Sequence, residues 1–148
     1  MTSNGIKIYL ASPLFSTAER SRNAHLRDLI SSFANVYLPQ EDGGLIFDLV
    51  SSGMSPVEAK HRIFREDISA IARCDVLVIV MDGRTIDEGA AFELGYAFAL
   101  GKACVGLKTD ARSLFTFGDN PMIEGAVREI FHDETSLCRW LEEYNLAH

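Results

Sequence analysis

Residues 75–107 read Asp75-Val-Leu-Val-Ile-Val-Met-Asp82-Gly-Arg-Thr-Ile-Asp87-Glu-Gly-Ala-Ala-Phe-Glu93-Leu-Gly-Tyr-Ala-Phe-Ala-Leu100-Gly-Lys-Ala103-Cys-Val-Gly-Leu107. The first seven residues, Asp75–Met81, include a run that is apolar on both faces, the mark of a central parallel strand covered by helices on either side. A helical stretch follows from about Asp87 to Leu100, closed by Gly101 and Lys102. Ala103–Leu107 is the next apolar strand. A strand, a helix and a second strand in this order define a right-handed crossover between parallel neighbours.

The same alternation extends outward in both directions. Upstream, Pro56–Arg73 has helical spacing, with Ser55 as the cap and Pro56 in the first turn. Asn35–Leu38 is a short strand stopped by Pro39, Ser16–Ala34 is an amphipathic helix, and Ile6–Leu10 is the first strand. Downstream, Val127–Phe131 is a weaker strand and Glu134–Tyr144 a final helix. The expected fold is α/β: a doubly wound, flavodoxin-like sandwich with about five mostly parallel strands, forming one domain over residues 1–148. The Gly/Ser-rich stretch Glu41–Ser55 is expected to be a long loop or lid beside the active site. In open sheets of this kind ligands bind outside the carboxyl ends of the strands. Three segments fall there: Ala11–Phe15, Pro39–Gly44 and Asp82–Asp87.

Composition narrows the function. With 47% apolar and 24% charged residues the 148-residue chain is an ordinary globular domain, able to bury one sizeable core. A net charge of −7 without clustered Lys or Arg argues against a nucleic-acid partner, whose phosphates demand basic patches. No apolar run approaches the ~20 residues that span a bilayer, so no membrane segment is expected. Met1–Gly5 is polar and unlike a signal peptide. Cys74, Cys104 and Cys138 are an odd, scattered set, which fits reduced thiols and a cytoplasmic location better than a disulfide framework. Phosphate-cradling GxGxxG and GxxxxGK[ST] motifs are absent, and His25, His61, His132 and His148 have no ligand-like spacing. No metal site is expected.

What remains is carboxylate chemistry. Glu93 is the only charged residue between Ala90 and Leu100. Its helical neighbours Gly89, Ala90, Tyr96 and Ala97 offer no basic partner. A carboxylate in such surroundings costs several kcal/mol unless something solvates or pairs it. Asp87, six residues earlier, supplies a second acid at the helix start. Paired carboxylates at one pocket are the equipment for cleaving a glycosidic bond.

Ile8-Tyr9-Leu10-Ala11-Ser12-Pro13, then Asp67 ahead of the Cys74-Asp75-Val-Leu-Val strand, then Asp87-Glu88-Gly89 leading to Phe92-Glu93-Leu94-Gly95-Tyr96-Ala97, and finally Asn120-Pro121-Met122 occur in this order. Together they resemble the nucleoside 2-deoxyribosyltransferases, over roughly residues 6 to 145. The resemblance implies base exchange on 2′-deoxynucleosides through a covalent deoxyribosyl-enzyme intermediate, with no metal and no organic cofactor. It implies Glu93 as nucleophile, Tyr9 as the hydroxyl that orients it, and Asp67 as the acid that passes a proton to and from the base. Asp87 and Gly89 would bind substrate, Asp87 at the sugar hydroxyls; Asn120 and Met122 would enter a neighbouring subunit's pocket. The implied partners are small-molecule nucleosides, free nucleobases and further copies of the chain, a homo-oligomer with shared active sites.

Plainer readings stand beside these: Asp67 as a solvated helix residue near Arg62, Arg65 and Glu66, Asp87 as an N-cap, Asn120 as a turn residue. Gln40 is placed to read a base edge, and Phe15 either stacks on the base or joins the core. Relatives that hydrolyse nucleoside monophosphates hold the phosphate with Ser and Arg in the loop after the first strand. Here that loop is Ser12-Pro13-Leu14-Phe15-Ser16, with no Arg before Arg20, which favours a free nucleoside. The alternatives are an N-glycosidase on the same scaffold and a non-catalytic nucleotide-sensing module.

Overall fold

The central strand expected from its two apolar faces is β3 (Val76–Val80), and all five of its residues are buried. The computed structural model describes residues 5–148, so the polar stretch before Gly5 lies outside the described residues. Around β3 the sheet runs β2 (Asn35–Tyr37), β1 (Lys7–Ala11), β3, β4 (Ala103–Leu107) and β5 (Ile130–Phe131). Every neighbouring pair is parallel. This order, 2-1-3-4-5, is the flavodoxin-like one, with its crossover reversal between β1 and β3.

Strand alternation sorts the buried side chains into two layers. Ile8, Leu10, Val76, Val78 and Val105 pack with Leu26 and Ile30 of α1 (Thr17–Ser31) and with Leu137 and Leu141 of the C-terminal helix, Glu134–Ala147. Tyr9, Ala11, Leu77 and Ile79 face the other way. They meet Ala70 and Ile71 of α3 (Pro56–Arg73) and Ala90, Leu94 and Ala97 of α4 (Glu88–Ala99). Tyr9 is thereby directed at the helices that carry Asp67 and Glu93.

Helix ends follow the local sequence. Ser16 with Glu19, and Ser55 with Glu58, form reciprocal capping boxes, each satisfying backbone donors that the first turn leaves open. Asp87 caps α4 by accepting from the Ala90 amide at 2.9 Å. Gly101, at φ 73°, closes α4 in the left-handed region that a glycine enters without strain.

Two expectations need correction. The Glu41–Ser55 stretch is not a plain loop: a π-helical turn, Pro39–Gly43, overlaps its start, and α2 (Ile46–Ser51) occupies its middle. Leu45, Ile46 and Phe47 of this stretch line a cavity together with Ile63 of α3. Helix α4 is apolar along most of its length yet is not buried all round. It buries one stripe and leaves Phe92 and Phe98 exposed, with Leu100 exposed just past its end. The last strand shrinks to Ile130–Phe131.

Candidate active site

Tyr9 is fully buried in β1 and donates its hydroxyl to Glu93 Oε1 at 2.8 Å. Burial, with the Glu93 and Asp67 charges beside it, drives the Tyr9 phenol well above its ordinary range, so it stays a proton-bearing donor. Among the described residues no Lys, Arg or His is ion-paired with Glu93. Burial pushes its carboxyl up to about 8; the Tyr9 hydroxyl opposes the rise, while Asp67 and Asp87 add to it.

Asp67 projects from the middle of α3 toward the same place. Its carboxyl is pushed up to about 6, chiefly by burial and further by Glu66, against the downward pull of a hydrogen bond from Tyr37. That bond runs from the Tyr37 hydroxyl to Asp67 Oδ1 at 3.0 Å. Arg62 is occupied elsewhere, donating from Nε to Glu66 at 2.9 Å. The solvated-face reading of Asp67 is therefore not the arrangement found.

Asp67, Asp87 and Glu93 line one cavity of about 320 Å³ outside the carboxyl ends of β1 and β3. Its remaining wall is mostly apolar, from Leu14, Phe15, Leu45, Ile46, Phe47 and Ile63, with Ser12 and Arg20 as further polar members. Phe15 is 77% exposed at the mouth and is not a core residue. Gly89 lies in the wall, where it leaves space beside the Asp87 carboxylate. A larger polar cavity of about 550 Å³ adjoins this one and shares Phe15 and Asp87. The larger cavity also has carboxylates, Glu19, Asp82, Asp87 and Glu88, but the smaller one brings together Asp67 and Glu93, the two whose carboxyls burial raises.

Gln40 is outside this cavity. Its amide donates to the Arg20 carbonyl and accepts from the Asn23 amide, both at 3.0 Å, so both ends are spent on α1. Asn120 caps the short helix α5 (Pro121–Glu124) by accepting from the Met122 amide at 2.9 Å. Met122 is 79% exposed and, like Asn120, not in the cavity wall of its own chain. Sequence reasoning missed Tyr37, Leu45, Ile46, Phe47 and Ile63. Tyr37 alone had a signal: parallel pairing at the ends of β1 and β2 puts Tyr9 and Tyr37 on one face.

Among the described residues no group of three His, Cys, Asp or Glu side chains is arranged to hold a metal ion. Burial raises the Cys74 and Cys104 thiols to about 11, away from nucleophilic use at neutral pH. No described helix is long and apolar enough to cross a membrane.

Residues 8–137 match the family described as nucleoside 2-deoxyribosyltransferase. Among solved structures, a conserved protein from Enterococcus faecalis V583 superimposes with a TM-score of 0.76 at 28% identity, covering 95% of this chain and 99% of that one. The 2-deoxyribosyltransferase from Bacillus psychrosaccharolyticus gives 0.75 at 25% identity, covering 95% and 93%. The CMP N-glycosidase BcmB of Clostridium botulinum shares the fold, with a TM-score of 0.59 at 18% identity over 92% and 98% of the two chains. No curated protein matches the chain. With the family match spanning most of its length, the chain belongs to the nucleoside 2-deoxyribosyltransferase family.

Proposed function

We propose that this protein exchanges the nucleobase of 2′-deoxyribonucleosides through a covalent 2-deoxyribosyl-Glu93 intermediate, with retention at C1′. The observation that carries the reading is the Tyr9–Glu93 hydrogen bond inside a cavity that also holds Asp67 and Asp87.

A Glu93 carboxylate oxygen attacks C1′ as the C1′–N bond breaks, and the departing base nitrogen takes its proton from Asp67. A second base then attacks C1′, expels Glu93 as carboxylate, and returns a proton to Asp67. Two inversions give net retention. The raised carboxyls of Glu93 and Asp67 suit a site that holds one proton between them near neutral pH. In the free pocket that proton favours Glu93, the more strongly shifted acid. Bound substrate reverses the preference: developing positive charge at C1′ favours the Glu93 carboxylate, and the base nitrogen needs the proton that Asp67 brings.

Asp87 binds the sugar while capping α4, and Gly89 leaves room beside it. The apolar wall around Phe15 and Phe47 holds the base by stacking and burial. Neighbouring copies complete the site: Asn120 and Met122, turned away from their own cavity, enter a partner's. The open apolar face of α4 at Phe92 and Phe98 is suited to burial in such a homo-oligomer.

Purified protein with deoxyinosine, with and without adenine or cytosine, tests the reading by chromatography. A new deoxynucleoside formed only with acceptor base supports exchange. Hypoxanthine and free deoxyribose released regardless of acceptor would replace it with hydrolysis. A second reading, N-glycosidase action on nucleoside monophosphates, draws on Ser12 and Arg20 in the cavity wall. Release of base from a deoxynucleoside monophosphate in preference to the nucleoside would favour it.

A further inference from the structure

Two tyrosines stand side by side on the sheet face that α3 and α4 cover. Tyr9 and Tyr37 are register partners on parallel strands, and their rings stack with centroids 5.4 Å apart and 14° between planes. Each hydroxyl ends on a different carboxylate, Tyr9 on Glu93 and Tyr37 on Asp67. Tyr9 has its place in the proposed reaction; Tyr37 has none so far. Burial alone does not explain its contact, because Tyr37 is only partly buried.

A third residue closes the arrangement. The π-helical turn passes so near that a Cβ on Gly43 would stand 2.9 Å from Asp67 Oδ1 and 3.0 Å from the Tyr37 hydroxyl. A side chain at position 43 would push the pair apart, so glycine there is a condition of the contact.

We propose that Tyr37 is the positioning residue for Asp67: its hydroxyl, donated to Oδ1 and seated against Gly43, holds the carboxyl in one orientation and leaves Oδ2 as the oxygen that carries the exchangeable proton. An oxygen that already accepts a hydrogen bond is the poorer proton carrier of the two. The catalytic consequence rests on the reading of Asp67 as the acid; the positioning itself does not.

The groups facing Asp67 are Glu66 on its own helix, Tyr9 on β1, Tyr37 on β2, and Glu93 with Asp87 at α4, while Asp42 of the π-helical turn acts on Tyr37. Among them the Tyr37 hydroxyl stabilises the Asp67 carboxylate, so removing it moves the Asp67 titration upward from about 6.

The test is a ¹³C NMR titration of protein labelled at aspartate carboxyls, with the Asp67 resonance assigned through Asp67→Asn. Tyr37→Phe keeps the ring stacked on Tyr9 and removes only the hydroxyl. Gly43→Ala keeps the hydroxyl and displaces the pair. Both variants are expected to raise the Asp67 midpoint by about half a unit or more. Both should lower kcat for base exchange about tenfold with KM little changed, as lost orientation of an acid predicts. A role in stability alone would lower the melting temperature and leave the midpoint in place. Unchanged midpoints in both variants overturn the proposal. Because the titration needs no turnover, wild-type protein that neither transfers nor hydrolyses would refute the proposed function while the Tyr37 result still stands or falls.

Discussion

Glu93→Gln separates what the buried carboxylate costs the fold from what it does in the site. Glutamine keeps the volume and an acceptor for the Tyr9 hydroxyl but cannot ionise. The Glu93 carboxyl rises from 4.5 to about 8 in the folded protein. An acid whose folded value is raised keeps its proton longer when folded than when unfolded. The folded state therefore loses stability as pH climbs through that window, and below it the penalty is absent. At about 1.4 kcal/mol per pH unit, the full penalty above the window is about 5 kcal/mol. Urea denaturation of both proteins at closely spaced pH values between about 4.5 and 9 reads it directly. The two should be similar at the acid end and diverge steadily, with Glu93→Gln the more stable at the alkaline end. Asp67 titrates in both proteins, and its coupling to the Glu93 charge is part of the difference. The same variant should show no base exchange. Parallel stability curves, differing by less than about 1 kcal/mol in their pH dependence, would mean that Glu93 is not held as a desolvated carboxyl.

Asp67→Asn should lower kcat with deoxyadenosine by about 10²–10⁴, yet cost far less with 4-nitrophenyl 2-deoxyriboside, whose leaving group needs no proton; equal losses would remove the acid role. Mixed oligomers reassembled from Glu93→Gln and Asn120→Ala, each inactive alone, should regain activity in base exchange, because one pocket per mixed contact would be intact; hybrids that form and stay inactive would refute shared sites. Lys108 and Asp119 form a buried pair at 2.8 Å beside the Asn120 turn. Lys108→Met should cost about 3–5 kcal/mol in urea melts by leaving the buried Asp119 without its cation, and adding Asp119→Leu should recover most of it; no recovery in the double variant would show that the pairing is not what Lys108 contributes.

The parts legible in the sequence were those governed by near neighbours along the chain. An apolar run such as Val76–Val80 announces a central strand because both its faces need cover. Ser55 before Pro56, and Gly101 after the last helical turn, mark helix ends because backbone donors and carbonyls there need partners within a few residues. Glu93 stood out because its own helix offers nothing to pair with it.

Contacts across the fold were not legible in that way. That Gln40 spends its amide on Arg20 and Asn23, and that Leu45–Phe47 supply part of the pocket wall, depend on how the π-helical turn and α2 pack. Tyr37 meets Asp67 across 30 positions of chain, a distance no local pattern spans.

By itself the sequence determined a parallel α/β sheet, the capped starts of its long helices and the carboxylates available for chemistry, since periodicity, capping and the cost of an unpaired charge are all local. Only the tertiary structure decided which of those groups share a cavity and which hydroxyl serves which carboxylate. Both depend on strand register and helix packing, which bring residues together through burial rather than through their spacing in the chain.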